Sequence, residues 1–270
     1  MIKKKIANTT FFLFPNFLNY KELIHAISTR EGGVSSSNYE SLNLSFQVGD
    51  ADDNVMENHR IVSHALGFDL RSLATGQQIH HDNIGMVDER HLKKDCFLPD
   101  NAFPKTDALV TDVPGLTLMT RYADCVPLLF YDPKTHTVAT AHAGWKGTLL
   151  HMAQKTVDVL VKDYHCQPQH IRAAIGPSIG PCCYRINSTM AGEAVRVLHK
   201  AQQYFVTSTN DDLYFNLWQA NKKQLQDAGI KDEHLSCAEL CTSCNIDLFY
   251  SYRKGKQVTG RFGALIGRRR

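Results

Sequence analysis

The chain has 270 residues, of which 43% are hydrophobic and 21% are charged. This balance is typical of a globular protein and excludes a disordered, collagenous or membrane-bundle chain. Thirty Lys and Arg residues against 27 Asp and Glu leave a formal net charge of +3. The positive charges are scattered, so we expect no nucleic-acid partner.

Apolar runs are short along the whole sequence. The longest, residues 125–131, contains Pro127 and falls far below the roughly 18 residues of a transmembrane helix. The basic N-terminus precedes an apolar stretch that stops at Pro15, which is too short for the ~7 to 15 apolar residues of a secretory signal. Eight cysteines are too few for a disulfide scaffold of this length. We therefore expect a cytoplasmic protein with no membrane segment and with free or metal-bound thiols.

The predicted elements alternate between strands and helices. A strand over residues 24–29 precedes a turn-rich loop over 30–38, and apolar spacing over 50–66 predicts an amphipathic helix with an exposed face of Glu57, Asn58 and Arg60. Further strands are predicted over 107–111, 116–120, 126–131, 137–142, 171–175, 247–250 and 263–266. Further helices are predicted over 146–164, 188–202 and 217–229.

The order of these elements indicates the fold class. No linker or repeat divides the sequence, so we expect a single catalytic domain over residues 1–270. Strands and helices are mixed without a regular βαβ rhythm, which predicts an α+β or layered α/β fold with mixed β-sheets flanked by helices. A Rossmann fold is unsupported, since no strand is followed by Gly-x-Gly-x-x-Gly.

Three side chains lie at the edges of apolar, strand-like segments, namely His80, Cys125 and His142. Two imidazoles and one thiolate can form a three-ligand zinc site whose fourth position is left for water or substrate. The alternative is a buried thiol at Cys125 and a hydrogen-bonded core histidine at His142. Their spacing has no local signature and does not decide between the two.

A second group of cysteines near the C-terminus also resembles a metal site. Cys237, Cys241 and Cys244, with Cys182 or Cys183 as a fourth donor, supply enough thiols for one. Only 241–244 has the Cys-x-x-Cys spacing, whereas a structural zinc site normally pairs two such elements. The pattern therefore favours thiols without a metal.

Several long motifs, in order, resemble the YfiH/YlmD family. They are residues 28–35 (STREGGVS), 106–111 (TDALVT), 123–128 (ADCVPL), 141–148 (AHAGWKGT), 175–184 (IGPSIGPCCY), 249–253 (FYSYR) and 259–261 (TGR). That family was long labelled polyphenol oxidase or laccase domain and is now assigned purine nucleoside phosphorylase activity. The resemblance covers nearly the whole chain and implies a YfiH-like fold.

The resemblance also implies a metal and substrates. The metal would be zinc, with copper possible, held by His80, Cys125 and His142; His81, next to His80, leaves the first ligand open between the two. The implied reactions are phosphorolysis of adenosine, inosine, guanosine and methylthioadenosine, and deamination of adenosine. Purine nucleosides and phosphate are then the expected partners.

Each reaction asks for particular side chains. Deamination needs a carboxylate that moves protons beside a metal-bound water, and we predict Asp124 for this role. We predict Cys125 and His142 as the other catalytic residues. The alternative for Asp124 is a structural hydrogen-bond acceptor. Phosphorolysis needs cations for phosphate, and we predict Arg60 first, then Arg121 and Lys146. The alternative for each cation is a solvated or salt-bridged surface residue.

Three functions therefore compete. The first is a zinc-dependent purine nucleoside phosphorylase with adenosine deaminase activity. The second is a copper-dependent polyphenol oxidoreductase that uses the same three donors, although the scattered histidines do not resemble a multicopper cluster. The third is a binding protein whose metal is structural, which predicts four filled ligand positions and no open cleft.

Overall fold

The computed structural model describes residues 1–255 and 257–270 of the chain. Its strands are β1 (Ile2–Ile6), β2 (Thr9–Leu13), β3 (Leu23–Ser28), β4 (Leu73–Thr75), β5 (Ile84–Met86), β6 (Ala108–Thr111), β7 (Thr117–Tyr122), β8 (Val126–Asp132), β9 (Thr137–Ala143), β10 (Arg172–Ile175), β11 (Phe205–Thr207), β12 (Leu213–Phe215), β13 (Leu235–Cys237) and β14 (Phe262–Arg268). Its α-helices are α1 (Asp52–Leu66), α2 (Trp145–Leu149), α3 (Met152–Tyr164), α4 (Ser188–Val197) and α5 (Leu217–Asp227).

Two mixed six-stranded sheets form the centre of the fold. The first has the order β1-β2-β3-β14-β7-β4, and the second has the order β13-β10-β8-β9-β6-β5. Most neighbours are antiparallel, but β4 and β7, β5 and β6, and β10 and β13 pair in parallel. The chain passes from the first sheet to the second between β7 and β8. The strand β14 lies in the interior of the first sheet, between β3 and β7.

The sheets and helices stack in four layers. Buried side chains of β7 and β14 pack against those of β6, β8 and β9 to form the core between the two sheets. The other face of the second sheet is covered by α3 and α5, and the other face of the first sheet is covered by α1. Strands β6, β8 and β9 are buried along their whole length, as expected for strands covered on both faces.

The predicted α+β fold with mixed sheets and flanking helices is confirmed, and most predicted elements lie within a few residues of their observed bounds. Three differences have a physical cause. The helix predicted over 146–164 is divided into α2 and α3, because His151 adopts a left-handed conformation with φ of 60°. The helix predicted over 188–202 ends at Val197. The strand predicted over 247–250 is wrong: the chain turns here, and Phe249 and Tyr250 are buried by packing against the sheet core while Asp247 is exposed.

The N-terminal segment forms a hairpin that the sequence patterns did not predict. Strands β1 and β2 pair antiparallel, so Phe11 and Phe12 lie in the protein core. Strand β1 is an edge strand whose lysines, residues 3–5, are exposed, a composition that discourages further strand pairing. Within residues 1–255 and 257–270, no helix combines the length and apolar character needed to cross a membrane.

Candidate functional site

Three side chains that could hold a metal ion converge where the chain passes between the two sheets. His80 lies in the loop between β4 and β5, Cys125 in the turn that connects β7 to β8, and His142 on β9. One donor atom from each lies within 4.8 Å of the other two, and His80 Nδ1 is 3.9 Å from Cys125 Sγ. Antiparallel pairing of β8 with β9 sets Pro127 opposite His142, which brings the preceding thiol to the imidazole.

Asp107, directly before β6, positions both histidines. Its Oδ1 lies 2.9 Å from His142 Nδ1. The same carboxylate accepts the peptide N–H groups of Ile79, His80 and His81 at 3.1, 2.9 and 3.0 Å. Asp107 is fully buried and His142 is 3% exposed. The hydrogen bond to Asp107 occupies Nδ1 of His142, so Nε2 is the ring nitrogen that is left for the site.

Charge interactions within this group oppose the effect of burial. Burial alone raises the pKa of the Cys125 thiol, but the charge of His142 and hydrogen bonds from His142 and His80 lower it to about 6. Burial alone lowers the pKa of His142, but the Cys125 thiolate and the Asp107 carboxylate raise it to about 9. Cys125 and His142 therefore form a thiolate–imidazolium pair at neutral pH in the metal-free protein.

The donor set fits a bound divalent metal ion. An added Cβ on Gly144 would lie 2.8 Å from Cys125 Sγ and 3.2 Å from His80 Nδ1, so only glycine leaves the space beside the donors open. The Asp107–His142 bond is the usual support of a metal-ligating histidine, since the carboxylate orients the ring and raises its basicity. Two nitrogens and one sulfur match zinc and also copper.

The three donors open into a cavity of about 490 Å³. Besides the donors, its walls contain aromatic, cationic and polar side chains: Ser45, Gln47, Gln78, Arg121, Trp145, Tyr184, Tyr252, Arg253 and Arg261. A cavity of this size matches the lower part of the range for small-molecule sites. The three-donor group therefore faces an accessible hollow, unlike a closed structural metal site.

Three arginines line this cavity, and two of them, Arg121 and Arg261, influence each other electrostatically. The Arg121 side chain donates to the carbonyl of Gly76 at 2.9 Å, and Gln78 bonds both backbone groups of Arg121. Burial and the charge of Arg261 lower the pKa of Arg121 to about 10, and burial lowers that of Arg261. Two neighbouring cations of this kind can hold an anionic ligand.

Asp124 lines the same cavity, but both its carboxylate oxygens have partners. Oδ1 accepts from Thr242 Oγ1 at 2.6 Å, while Oδ2 accepts from Ser251 Oγ at 3.0 Å and from the peptide N–H of Arg253 at 2.7 Å. This arrangement favours the structural alternative for Asp124. Its proton-transfer role stays a prediction.

The other predicted residues lie apart from the donors. The Arg60 side chain is 60% exposed and pairs with Glu57 on the surface of α1. Lys146 is exposed on α2, and neither cation is among the described residues that line the cavity. His81 is exposed and bonds Asp82, so His80 is the histidine that joins the donors. Asn58, expected on the exposed face of α1, is buried and binds the peptide N–H of Val34.

Sequence patterns missed several residues of the site. Asp107 precedes the buried strand β6, and a carboxylate at that position was the available signal. Arg261 directly precedes β14 and reaches the cavity only through the pairing of β14 with β7. Trp145, at the start of α2, and Tyr184, in the loop after β10, line the cavity from positions far apart in sequence, which no spacing rule connects.

Comparisons with known proteins agree over nearly the whole chain. Residues 24–269 match the family described as "Multi-copper polyphenol oxidoreductase laccase". The protein named purine nucleoside phosphorylase YlmD from Bacillus subtilis is 35% identical over 250 residues, covering 92% of this chain and 90% of the relative. The crystal structure of YlmD from Geobacillus stearothermophilus superposes with a TM-score of 0.92 at 32% identity, covering 99% of this chain and 98% of that one. The structure of Bacillus licheniformis YfiH has a TM-score of 0.90 at 34% identity, covering 96% of both chains.

Proposed function

Because this chain belongs to the family of YlmD and YfiH proteins, we propose that it is a metal-dependent purine nucleoside phosphorylase. The reaction converts a purine nucleoside and phosphate into the free base and ribose 1-phosphate. Adenosine, inosine, guanosine and methylthioadenosine are the substrates we propose, and zinc is the metal. His80, Cys125 and His142 would hold it.

One juxtaposition carries this proposal. The His80, Cys125 and His142 donors open into the same cavity as the guanidinium groups of Arg121 and Arg261. A phosphorolytic site must hold an anion next to the bond that breaks and must stabilise charge on the departing base. Cations at one part of a cavity and metal donors at another meet both requirements.

The aromatic walls suit a purine base. Trp145 and Tyr184 lie with ring centroids 6.3 Å apart, and Tyr252 lies beneath the Arg261 guanidinium. Flat aromatic surfaces bind a planar heterocycle through offset or edge contacts. We propose that Trp145, Tyr184 and Tyr252 hold the base while the polar residues near Gln47 and Ser45 contact the ribose.

The chain's own residues position the reactants for displacement. Arg121 and Arg261 bind the phosphate oxygens, which keeps the nucleophile near C1' of the nucleoside. A phosphate oxygen then forms the bond to C1' as the C1'–N9 bond breaks. The electron pair of the C1'–N9 bond moves to the purine, which takes up a proton from solvent to leave as the free base. A zinc ion held by His80, Cys125 and His142 would supply Lewis acidity and would lower the pKa of bound water toward about 7.

Deamination of adenosine is a second candidate reaction. It is favoured by the three-donor set, because zinc sites with three protein ligands are typically catalytic and would activate a water molecule. The environment of Asp124 supports this reaction less well, because its oxygens already accept three hydrogen bonds. Formation of inosine from adenosine in the absence of phosphate is the measurement that separates deamination from phosphorolysis.

The experiment is chromatographic detection of hypoxanthine from inosine, with and without phosphate, on protein purified without added copper. We expect hypoxanthine only when phosphate is present. Cys125→Ala should remove both the metal held by His80, Cys125 and His142 and the turnover, whereas Cys237→Ala, a thiol outside the cavity-lining set, should change neither. Circular dichroism verifies that each variant is folded. Turnover by Cys125→Ala equal to that of the parent protein would contradict the proposal.

The same protein preparation tests the oxidoreductase alternative. The family description names copper oxidases, and copper binds nitrogen and sulfur donors more tightly than zinc in the intrinsic order. Phenol oxidation that rises in proportion to copper occupancy, with no phosphate-dependent release of base, would support the oxidase instead. We also propose a cytoplasmic location. We further propose a single catalytic domain over residues 1–270, since residues from both sheets line the cavity.

A further inference from the structure

A second group of sulfur atoms lies outside the His80, Cys125 and His142 site. The thiols of Cys182, Cys183, Cys241 and Cys244 all lie within 4.8 Å of one another. Cys237, which the sequence patterns grouped with them, is not part of this set. Cys237 lies in β13. The group instead contains both of the adjacent cysteines, Cys182 and Cys183.

Sheet topology explains why these four thiols meet. Strands β10 and β13 are parallel neighbours, so their C-terminal ends reach the same edge of the second sheet. The loop after β10 contains Cys182 and Cys183, and the loop after β13 contains Cys241 and Cys244. An isolated parallel bridge between Ser178 and Cys241 keeps the two loops in register.

The separations between the sulfur atoms suit a shared metal ion. Cys244 Sγ is 3.6 Å from Cys182 Sγ and 3.4 Å from Cys183 Sγ. A disulfide would require about 2.05 Å. Four sulfurs at the usual Zn–S distance of about 2.3 Å around a tetrahedral ion lie about 3.8 Å from one another. All eight cysteines of the chain are free thiols, so four donors are available.

Backbone and side-chain donors hold the loops that carry these thiols. The peptide N–H of Gly180 donates to Cys241 Sγ at 3.2 Å, a bond that favours a charged sulfur. Arg253 donates to the carbonyl of Cys183 at 3.2 Å and so holds the backbone of the loop that carries Cys182 and Cys183. An added Cβ on Gly180 would lie 2.6 Å from the Trp218 ring and 3.2 Å from Cys241 Cβ. The loop after β10 therefore approaches Cys241 closely.

We propose that Cys182, Cys183, Cys241 and Cys244 bind a second, structural zinc ion. All four positions are filled by protein ligands, which is the arrangement of structural rather than catalytic zinc. The ion would join two loops that border the cavity. Thr242, between two of the ligands, donates to Asp124, and Ile179, on the other loop, donates its peptide N–H to the carbonyl of Asp124. The second zinc ion therefore fixes one wall of the cavity.

The test is zinc content per chain of protein produced in zinc-supplemented cells and purified with reductant and without chelator. The parent protein should contain one more zinc per chain than the double variant Cys241→Ser, Cys244→Ser. The Cys237→Ser variant, a matched thiol outside the four, should keep the zinc content of the parent. Because only the difference between proteins is used, the result does not depend on which metal occupies the His80, Cys125 and His142 site.

A second measurement does not require the double variant to fold. Cys125→Ala protein is loaded with Co²⁺, and its absorption spectrum is recorded. We expect the intense near-ultraviolet sulfur-to-cobalt charge-transfer band and the visible bands of a tetrahedral thiolate site, since Cys125 is absent. Absence of these bands, equal zinc in the parent and double variant, or a disulfide linking Cys244 to Cys182 or Cys183 by mass spectrometry of the unreduced protein would each overturn the proposal.

Discussion

The Asp107 carboxylate joins the two histidines of the site, lying 2.9 Å from the ring of His142 and accepting the peptide N–H of His80. We expect Asp107→Asn to weaken metal binding about 10- to 100-fold, the usual effect of changing the hydrogen-bond partner of a metal ligand. An amide can still occupy the position, but it carries no charge to stabilise the imidazole proton. Competition with a chelator measures the affinity.

The matched control for Asp107 is Asp82→Asn. Asp82 bonds His81 and Lys155 at the surface and does not face the metal donors. Equal metal affinity in the Asp107→Asn and parent proteins would show that this carboxylate does not position the ligands.

Gly144 makes the second prediction, because its missing side chain keeps the space beside Cys125 open. Gly144→Ala places a methyl group about 2.8 Å from the thiol sulfur, closer than real Cβ contacts, so the thiol or the His80 ring must move. We expect metal occupancy and phosphorolysis to fall at least about tenfold, since a displacement of about 1 Å at a catalytic centre has large effects.

Gly192 in α4 is the control for this substitution. An added Cβ there meets no atom within 4 Å. Gly192→Ala should leave activity unchanged and raise the unfolding free energy by roughly 0.5 to 1 kcal/mol, as an alanine does in a helix. Full activity in Gly144→Ala, measured beside this control, would contradict the close fit at the donors.

The third prediction concerns Arg121, which supplies positive charge to the cavity whereas Arg60 does not. Arg121→Ala should raise the KM for phosphate by about 10- to 100-fold, which corresponds to the roughly 1.5 to 3 kcal/mol of a charged hydrogen bond. The KM for the nucleoside should change much less. Initial rates at varied phosphate and fixed inosine give both constants.

Arg60→Ala serves as the paired variant. Its guanidinium lies on the surface beside Glu57, so both KM values should stay at the level of the parent protein. Similar phosphate KM values for the two arginine variants would argue that phosphate binds elsewhere.

The fourth prediction concerns the Cys125 thiol of the metal-free protein. Its pKa is lowered to about 6, mainly because the charge of His142 outweighs burial. The thiolate is therefore the main form above pH 6, and it is protonated as the pH falls through that value. The alkylation rate at Cys125 should rise between pH 5 and about 7 and then level off, because the thiolate is the nucleophile.

Cys237 gives an internal control in the same samples. Burial raises its pKa to about 11, so its alkylation rate should still be rising at pH 9. Peptide mass spectrometry resolves the two cysteines. A Cys125 profile that climbs in parallel with that of Cys237 would rule out the thiolate–imidazolium pair.

Most helices and the central strands were within reach of sequence patterns because an apolar segment is a local signal, whereas the grouping of the three donors followed from the resemblance to the family. Strands β6, β8 and β9 are continuous apolar segments, and His80, Cys125 and His142 stand at the ends of such segments beside small residues. The register of the β8–β9 hairpin then brings two of them together.

The remaining parts of the site depend on contacts that have no local pattern. Arg60 lies in the predicted helix, but packing alone decides which face of that helix turns toward a distant cavity. Likewise Arg261 reaches Arg121 only because β14 pairs with β7, and the four cysteines meet only because β10 and β13 are neighbours in space. A strand prediction over 247–250 failed because burial by packing and strand formation produce the same apolar signal.

The interior position of β14 affects how the protein can be made. During synthesis on the ribosome, β7 emerges long before β14, so neither β3 nor β7 can complete its pairing until β14 has left the ribosome. Until then the nascent protein keeps an unpaired, apolar gap in its first sheet, a form that invites aggregation and binding by chaperones. The cavity is complete only after β14 has inserted.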